Sequence, residues 1–149
     1  MTREYLNVLL ADSNEGNLVL IKNILQDLKI EINARDFYNG KDLMEYLNGR
    51  ETIVPEIIFM SYDLPGKNSL ECLDAIKADL RFSNIILLVY SEFLPEELIE
   101  EIFIRGANIY MRKPDNYQEL KKVISEAITV SWQYHTSGLN KDYFIMKVK

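Results

Sequence analysis

Cysteine is nearly absent from this chain: Cys72 stands alone among 149 residues, so no internal disulfide can brace the fold and a reducing compartment is expected. Histidine is as scarce. His135 is the only one, and it falls beyond the last periodic segment, far from any candidate site. No apolar run reaches the length of a membrane span, and no charged-then-apolar leader pattern is present at the N-terminus. A soluble, cytoplasmic protein is expected. Positive charge is short too: 17 Lys and Arg stand against 23 Asp and Glu, and the net charge of -6 argues against nonspecific attraction to nucleic acid or an anionic membrane. Internal repeats, linkers and low-complexity segments are also missing. What is present, 48% hydrophobic and 27% charged residues, suffices for one ordinary core and predicts a single globular domain.

Short apolar runs alternate with segments of helical period. YLNVLLA (residues 5–11) reads as a strand ending at Asp12 and Ser13, and Leu18, Ile21, Leu25 and Leu28 then recur at spacings of three and four. IEINARDFY is a half-exposed strand closed by Asn39 and Gly40, followed by the short helical piece KDLMEYL. PEIIFMS is a continuous apolar strand, as expected for burial on both faces. After Pro65-Gly66, SLECLDAIKADL forms a helix in which Cys72, beside Leu73 and Ile76, reads as a small buried residue rather than a reactive thiol. NIILLVYS is the fourth strand, and PEELIEEIFIR is a helix with proline in its first turn and Gly106 as a left-handed C-cap. NIYMR is the fifth strand, followed by Lys113-Pro114 and a helix from about Tyr117 to Tyr134.

Five strands alternating with five helices predict an α/β fold, a (βα)5 doubly wound parallel sheet of the flavodoxin-like order 2-1-3-4-5. The domain is expected over residues 1–134, with 135–149 as a tail. In that order strands 1 and 3 are neighbours whose connections leave in opposite directions, which opens a crevice at their carboxyl ends where ligands bind. Asp12 and Ser13, Ser61 with Asp63 just beyond, Ser91 and Lys113 all reach that crevice. One cation, two carboxylates and several hydroxyls converge there without forming a triad.

The segments PEIIFMSYDLPGKNSLECLDAIK, VYSE and RGANIYMRKP, with an acidic residue after the first strand, resemble the receiver domain of two-component response regulators over about residues 4–130. The resemblance implies an aspartate four residues before Pro65 that accepts a phosphoryl group from a histidine kinase, and an acidic pair after the first strand that binds Mg²⁺. It further implies a Ser or Thr at Ser91 and a lysine at Lys113 that contact the phosphoryl oxygens. Tyr110 matches the aromatic switch, which turns inward when the strand-4 hydroxyl moves toward phosphate. It also implies a cis Lys113-Pro114 bond.

Two departures bear on chemistry. The acceptor position holds Ser61 and the second member of the acidic pair is Ser13, so only Asp12 remains. A serine is not ionised at neutral pH and has no imidazole near it, and Mg²⁺ dehydrates reluctantly toward a site that has lost two of three carboxylates. A degenerate site is expected, with no cofactor required and at most a weak Mg²⁺ site made by Asp12 and Asp63. Asp63 overshoots the acceptor position by about 6.6 Å, two residues at ~3.3 Å rise. Lys113 either serves a phosphate or pairs with Asp12. Ser91 and Tyr110 have plainer readings, as a polar strand end and a packed aromatic. The double change Ser61→Asp with Ser13→Asp is expected to restore Mg²⁺ binding.

A stand-alone signalling module is therefore expected to act by protein–protein contact through the fourth helix, fifth strand and fifth helix. Ile99, Phe103, Tyr110, Val123, Val130 and Tyr134 are the interface candidates, since the apolar arc of the last helix spans about 200°. The partner is expected to be a kinase, an output protein or a second copy, and neither nucleic acid nor membrane. The tail NKDYFIMKVK is β-prone and either covers the fifth helix or adds to another chain. An active phosphoryl-accepting regulator using Asp63 or Ser61 is the alternative. A flavodoxin-type cofactor protein is disfavoured, because ADSNEGN lacks a hydroxyl-rich phosphate cradle and PGKN has one glycine.

Overall fold

Along every inner strand successive side chains are buried on alternate faces, which is what a parallel sheet covered on both sides requires. The computed structural model describes residues 5–50, 52–137 and 146–148. The elements run β1 (Tyr5–Ala11), α1 (Glu15–Gln26), β2 (Glu31–Phe37), α2 (Gly40–Leu47), β3 (Ile57–Ser61), α3 (Ser69–Lys77), a 3-10 turn (Leu80–Phe82), β4 (Ile86–Ser91), α4 (Glu96–Ile104), β5 (Ile109–Arg112), α5 (Tyr117–Ser137) and β6 (Met146–Val148). The sheet is parallel throughout, in the order β2-β1-β3-β4-β5-β6. The five-stranded doubly wound order expected from the sequence is present, and β6 extends it.

Leu6, Val8 and Leu10 of β1, with Phe59, Leu88 and Ile109 of the strands beside it, pack under α1 and α5. Leu9, Ile58, Met60, Leu87 and Val89 point the other way and pack under α2, α3 and α4. Cys72 belongs to this second layer, fully buried, and burial pushes its thiol up to about 11, which leaves it inert as a nucleophile at neutral pH. β2 is the half-exposed edge that its polar alternation predicts, with Glu31, Asn33 and Arg35 exposed, a pattern that discourages pairing with another chain.

Four helices that begin at the carboxyl end of the sheet are capped by asparagine. The side chains of Asn14, Asn39, Asn68 and Asn116 accept from the backbone N–H of Asn17, Asp42, Glu71 and Glu119, and Glu71 completes a capping box. Gly40 opens α2 against the loop that follows β3. A Cβ there would lie 1.6 Å from the Lys67 carbonyl oxygen, and the Gly40 N–H donates to Pro65 O at 3.0 Å, so the rim of the crevice depends on a bare backbone at this point. Gly106 ends α4 with φ +121, the left-handed cap expected from the sequence. Pro95 stands one residue earlier than expected, as the N-cap of α4.

Other features of the second half differ from the expectations. α5 continues past Tyr134 to Ser137, and its last turns are anchored: His135 Nε2 lies 2.9 Å from Glu56 O, and the Tyr134 hydroxyl donates to Asn84 Oδ1 at 3.3 Å. Of the tail, Met146–Val148 pairs with Ile109, Tyr110 and Met111 as a strand of this chain's own sheet, while 138–145 and 149 lie outside the described residues. The Lys113-Pro114 bond is trans, as are all peptide bonds of the described residues. The trans form is intrinsically favoured by about 0.5–1 kcal/mol, and Lys113 makes no ion pair among the described residues that would offset that preference. No helix among the described residues is long and apolar enough to cross a membrane.

Candidate functional site

Register assembles the crevice. Ala11 pairs with Met60 and Ser61 with Tyr90, so Asp12, Ser61 and Tyr90 form a row across β1, β3 and β4 on the α1/α5 side of the sheet. Asp12 is 3% exposed and its carboxylate accepts three hydrogen bonds. The backbone N–H of Asn14 donates to Oδ1 at 2.8 Å; Asn17 Nδ2 and the Tyr90 hydroxyl donate to Oδ2 at 2.9 and 2.6 Å. Three neutral donors compensate the burial of one charge, with the short phenol bond the strongest of them. Tyr90 itself is 2% exposed. Burial first, then the charge of Asp12 and the hydrogen bond to it, hold its phenol well above the usual tyrosine range, so it is a donor at every physiological pH.

On the other side of the sheet, Ser91 Oγ and the Tyr110 hydroxyl lie 2.9 Å apart, and both residues are buried. Tyr110 is therefore turned inward. The backbone closes the same corner: Lys113 N donates to Ser91 O at 2.8 Å, and Tyr62 N to Tyr90 O at 2.9 Å.

The remaining predicted residues are placed less centrally. Ser13 and Asp63 are exposed and Ser61 is half-buried. Lys113 makes no ion pair among the described residues, so the alternative of a permanent Lys113–Asp12 bridge is absent: the carboxylate is already filled by neutral donors. Instead Lys113 lines an open cleft of about 510 Å³ with Glu92, Arg112, Pro114, Asp115 and Glu119. Four interface candidates lie largely inside the fold. Ile99 is 6% exposed and Tyr110 3% in one core layer, and Val123 is 6% and Tyr134 8% in the other. Phe103 and Val130 are half-buried. The wide apolar arc of α5 faces the sheet and α1 together, which explains its breadth without a partner.

A divalent cation of the kind that receivers bind does not fit these residues. It needs several oxygen ligands, most of them anionic, in near-octahedral geometry. Here the one buried carboxylate would first have to give up Tyr90 and Asn17, and no group of three His, Cys, Asp or Glu side chains among the described residues is placed to hold a metal.

Tyr90 is the site residue that the sequence reading missed. Its signal was available in principle: a phenol in the fully buried run ILLVYS needs a hydrogen-bond partner, and the crevice is where polar groups gather.

Comparison with known proteins agrees with this architecture. Residues 8–125 match the response regulator receiver domain. The chemotaxis protein CheY of Pseudomonas aeruginosa is 26% identical over 122 residues, which is 81% of this chain and 94% of that one. The protein-glutamate methylesterase/protein-glutamine glutaminase of Methanococcoides burtonii is 29% identical over 104 residues, 68% of this chain but only 28% of the length of that protein. Among solved structures, the phosphorylated cyanobacterial phytochrome response regulator RcpA shares the fold with a TM-score of 0.79 at 22% identity, covering 91% of this chain and 97% of that one. With most of its length inside the family match and the strand order that such domains require, the chain belongs to the response regulator receiver domain family.

Proposed function

We propose that this receiver works as a protein-binding module of a two-component or phosphorelay system, with no catalytic activity of its own and no need of aspartyl phosphate to set its switch. The observation that carries the reading is the Ser91–Tyr110 hydrogen bond at 2.9 Å. In receivers the inward aromatic accompanies a strand-4 hydroxyl drawn toward phosphate; here Tyr110 is inward and bonded to Ser91 on the face of β4 opposite Ser61, with no nucleophilic carboxylate at the acceptor position to hold a phosphate. A resting shape that is already of the active type needs no phosphoryl donor to be recognised.

The partner, a kinase, an output protein or a second copy, meets the side formed by α4, the outer strands and α5. Because β6 lies outside β5, the sheet edge on that side is β6 rather than β5. Phe93, 70% exposed in the loop after β4, Ile104, 77% exposed at the end of α4, and Tyr117, 40% exposed at the start of α5, are exposed apolar residues of these elements, with Phe103 and Val130 half-buried between the helices and the sheet.

Incubation with acetyl phosphate and Mg²⁺ followed by intact-mass measurement tests the reading. No phosphoryl gain is expected. A stoichiometric gain that disappears in Asp63→Asn or in Ser61→Ala would replace it with the alternative, an active phosphoryl acceptor.

A further inference from the structure

The loss of a carboxylate at position 61 and the presence of a tyrosine at position 90 are not independent facts of this structure. Asp12 and Tyr90 stand two strands apart, each strand spacing being about 4.8 Å, and the strand between them carries Ser61. The Tyr90 ring has to cross that strand to bring its hydroxyl within 2.6 Å of Asp12 Oδ2. A serine leaves room for the crossing. An aspartate in place of Ser61 would put a second carboxylate beside Asp12 in a space already occupied by an aromatic ring, with no cation to separate the two charges.

We infer that Tyr90 is the internal occupant of the place where a receiver's divalent cation would sit: its phenol donates to the carboxylate that the cation would bind, and its ring fills the space above Ser61. The inference rests on the reading of the site as one that does not work through aspartyl phosphate, and it adds the residue responsible. The degeneracy of the crevice then lies in Tyr90 as much as in Ser61 and Ser13. Restoring the two acids alone, the change that the sequence pattern invites, leaves Asp12 bonded to the phenol and the introduced strand-3 carboxylate facing its ring, so it creates no cation site. Removing Tyr90 as well opens one.

Mn²⁺ is the probe, followed by the loss of the free-ion signal in electron paramagnetic resonance, with Mg²⁺ as competitor. The Ser13→Asp/Ser61→Asp variant is expected to bind Mn²⁺ no more tightly than the unaltered chain. Adding Tyr90→Val is expected to tighten binding by at least about tenfold, because three carboxylates then face one open site, and Asp12→Asn in that background is expected to abolish the gain. Equal affinity with and without Tyr90 would overturn the inference. Three adjacent acids in place of a buried ring is a demanding change, so the same double variant carrying Tyr90→Phe is measured beside it. That substitution keeps the ring and frees only the Asp12 oxygen, and a gain smaller than that of valine but above the double variant is expected; no gain at all counts against the inference. These outcomes are separable from those of the phosphorylation test: a phosphoryl gain on the unaltered chain removes the reading of the site, whereas a double variant that binds Mn²⁺ with Tyr90 in place removes only the role of Tyr90.

Discussion

Tyr90 and Ser91 are neighbours on β4 that face opposite sides of the sheet, and the two sides differ in how much of a receiver they keep. On the Tyr90 side the acid row is reduced to Asp12, and its carboxylate is held by a phenol, a carboxamide and a backbone N–H in place of a metal. On the Ser91 side the strand-end hydroxyl and the Tyr110 phenol are joined at 2.9 Å. In this chain the Asp12–Tyr90 pair and the Ser91–Tyr110 pair lie on different faces and share only the backbone of one strand end. A change of residue on one face can therefore leave the hydrogen bonds of the other face in place. Because consecutive residues of a strand point to opposite faces, the separation is a consequence of the pleat rather than of distance along the chain.

The largest effect is expected on the side where a charge is buried. Tyr90→Phe keeps the ring and removes the donor, leaving Asp12 Oδ2 with Asn17 alone in a site that is 3% open to solvent. Hydrogen bonds to charged groups contribute about 1.5–3 kcal/mol, so a loss of roughly 2 kcal/mol is expected in urea unfolding at neutral pH. The same substitution together with Asp12→Asn should cost less than the sum of the two single changes, since each removes the partner of the other. A loss under about 0.5 kcal/mol for Tyr90→Phe would mean that water replaces the phenol readily, and the difference between the two faces would be one of residue type only.

A smaller effect is expected on the switch side, where both partners are neutral. Tyr110→Phe and Ser91→Ala should each cost about 1 kcal/mol, and the pair together little more than either alone. The sharper measurement crosses the strand. If the two faces are separate devices, Tyr90→Phe and Tyr110→Phe add to within about 0.5 kcal/mol; a coupling above that would join them into one lock and dissolve the comparison.

How much of this was legible without coordinates depends on the range of the interaction. The strands and helices were read from period, because Leu18, Ile21 and Leu25 on α1, or the unbroken ILLV of β4, report burial locally. Cys72 was placed correctly for the same reason. The order of the strands brings the carboxyl ends that carry Asp12, Ser61, Ser91 and Lys113 to one end of the sheet. The register, however, puts Tyr90, not Ser91, in line with Asp12 and Ser61, and Lys113 borders a separate cleft. Tyr90 was missed because its partner is 78 residues away and identifiable only once register is known. Four of the six interface candidates, Ile99, Tyr110, Val123 and Tyr134, are buried in the domain itself, which the sequence could not show. Helical period shows which face of α5 is apolar but not how much of that face the domain itself covers, and Val123 and Tyr134 pack within the core layer that α5 shares with the sheet and α1. The trans Lys113-Pro114 bond differs from an expectation carried by family likeness alone, with nothing in the residues around it to support the cis form. The tail reads as β-prone, but its three-residue strand is too short for alternation to show where it pairs, and it joins β5 of this chain rather than another.

The smallest effect concerns the lysine, and it is the most direct check on whether the crevice fixes a cation. In a receiver that binds phosphate, the cation at this position is held against the anion it serves. Here Lys113 is half-buried, has no ion pair among the described residues, and borders an open cleft shared with Glu92, Asp115 and Glu119, so its charge is solvated rather than fixed. Lys113→Ala is accordingly expected to change stability by no more than about 0.5 kcal/mol. It should also leave the Ser91–Tyr110 bond in place, because the contact of this residue with β4 is made by its backbone N–H to Ser91 O and survives the loss of the side chain. Urea unfolding reads the first expectation, and the hydroxyl and ring resonances of Tyr110 read the second. A clear destabilisation, or an outward Tyr110, would show that the ammonium group still organises the crevice electrostatically, and the side of the sheet that bears Tyr90 would then retain more of a receiver's charge network than its hydrogen bonds imply.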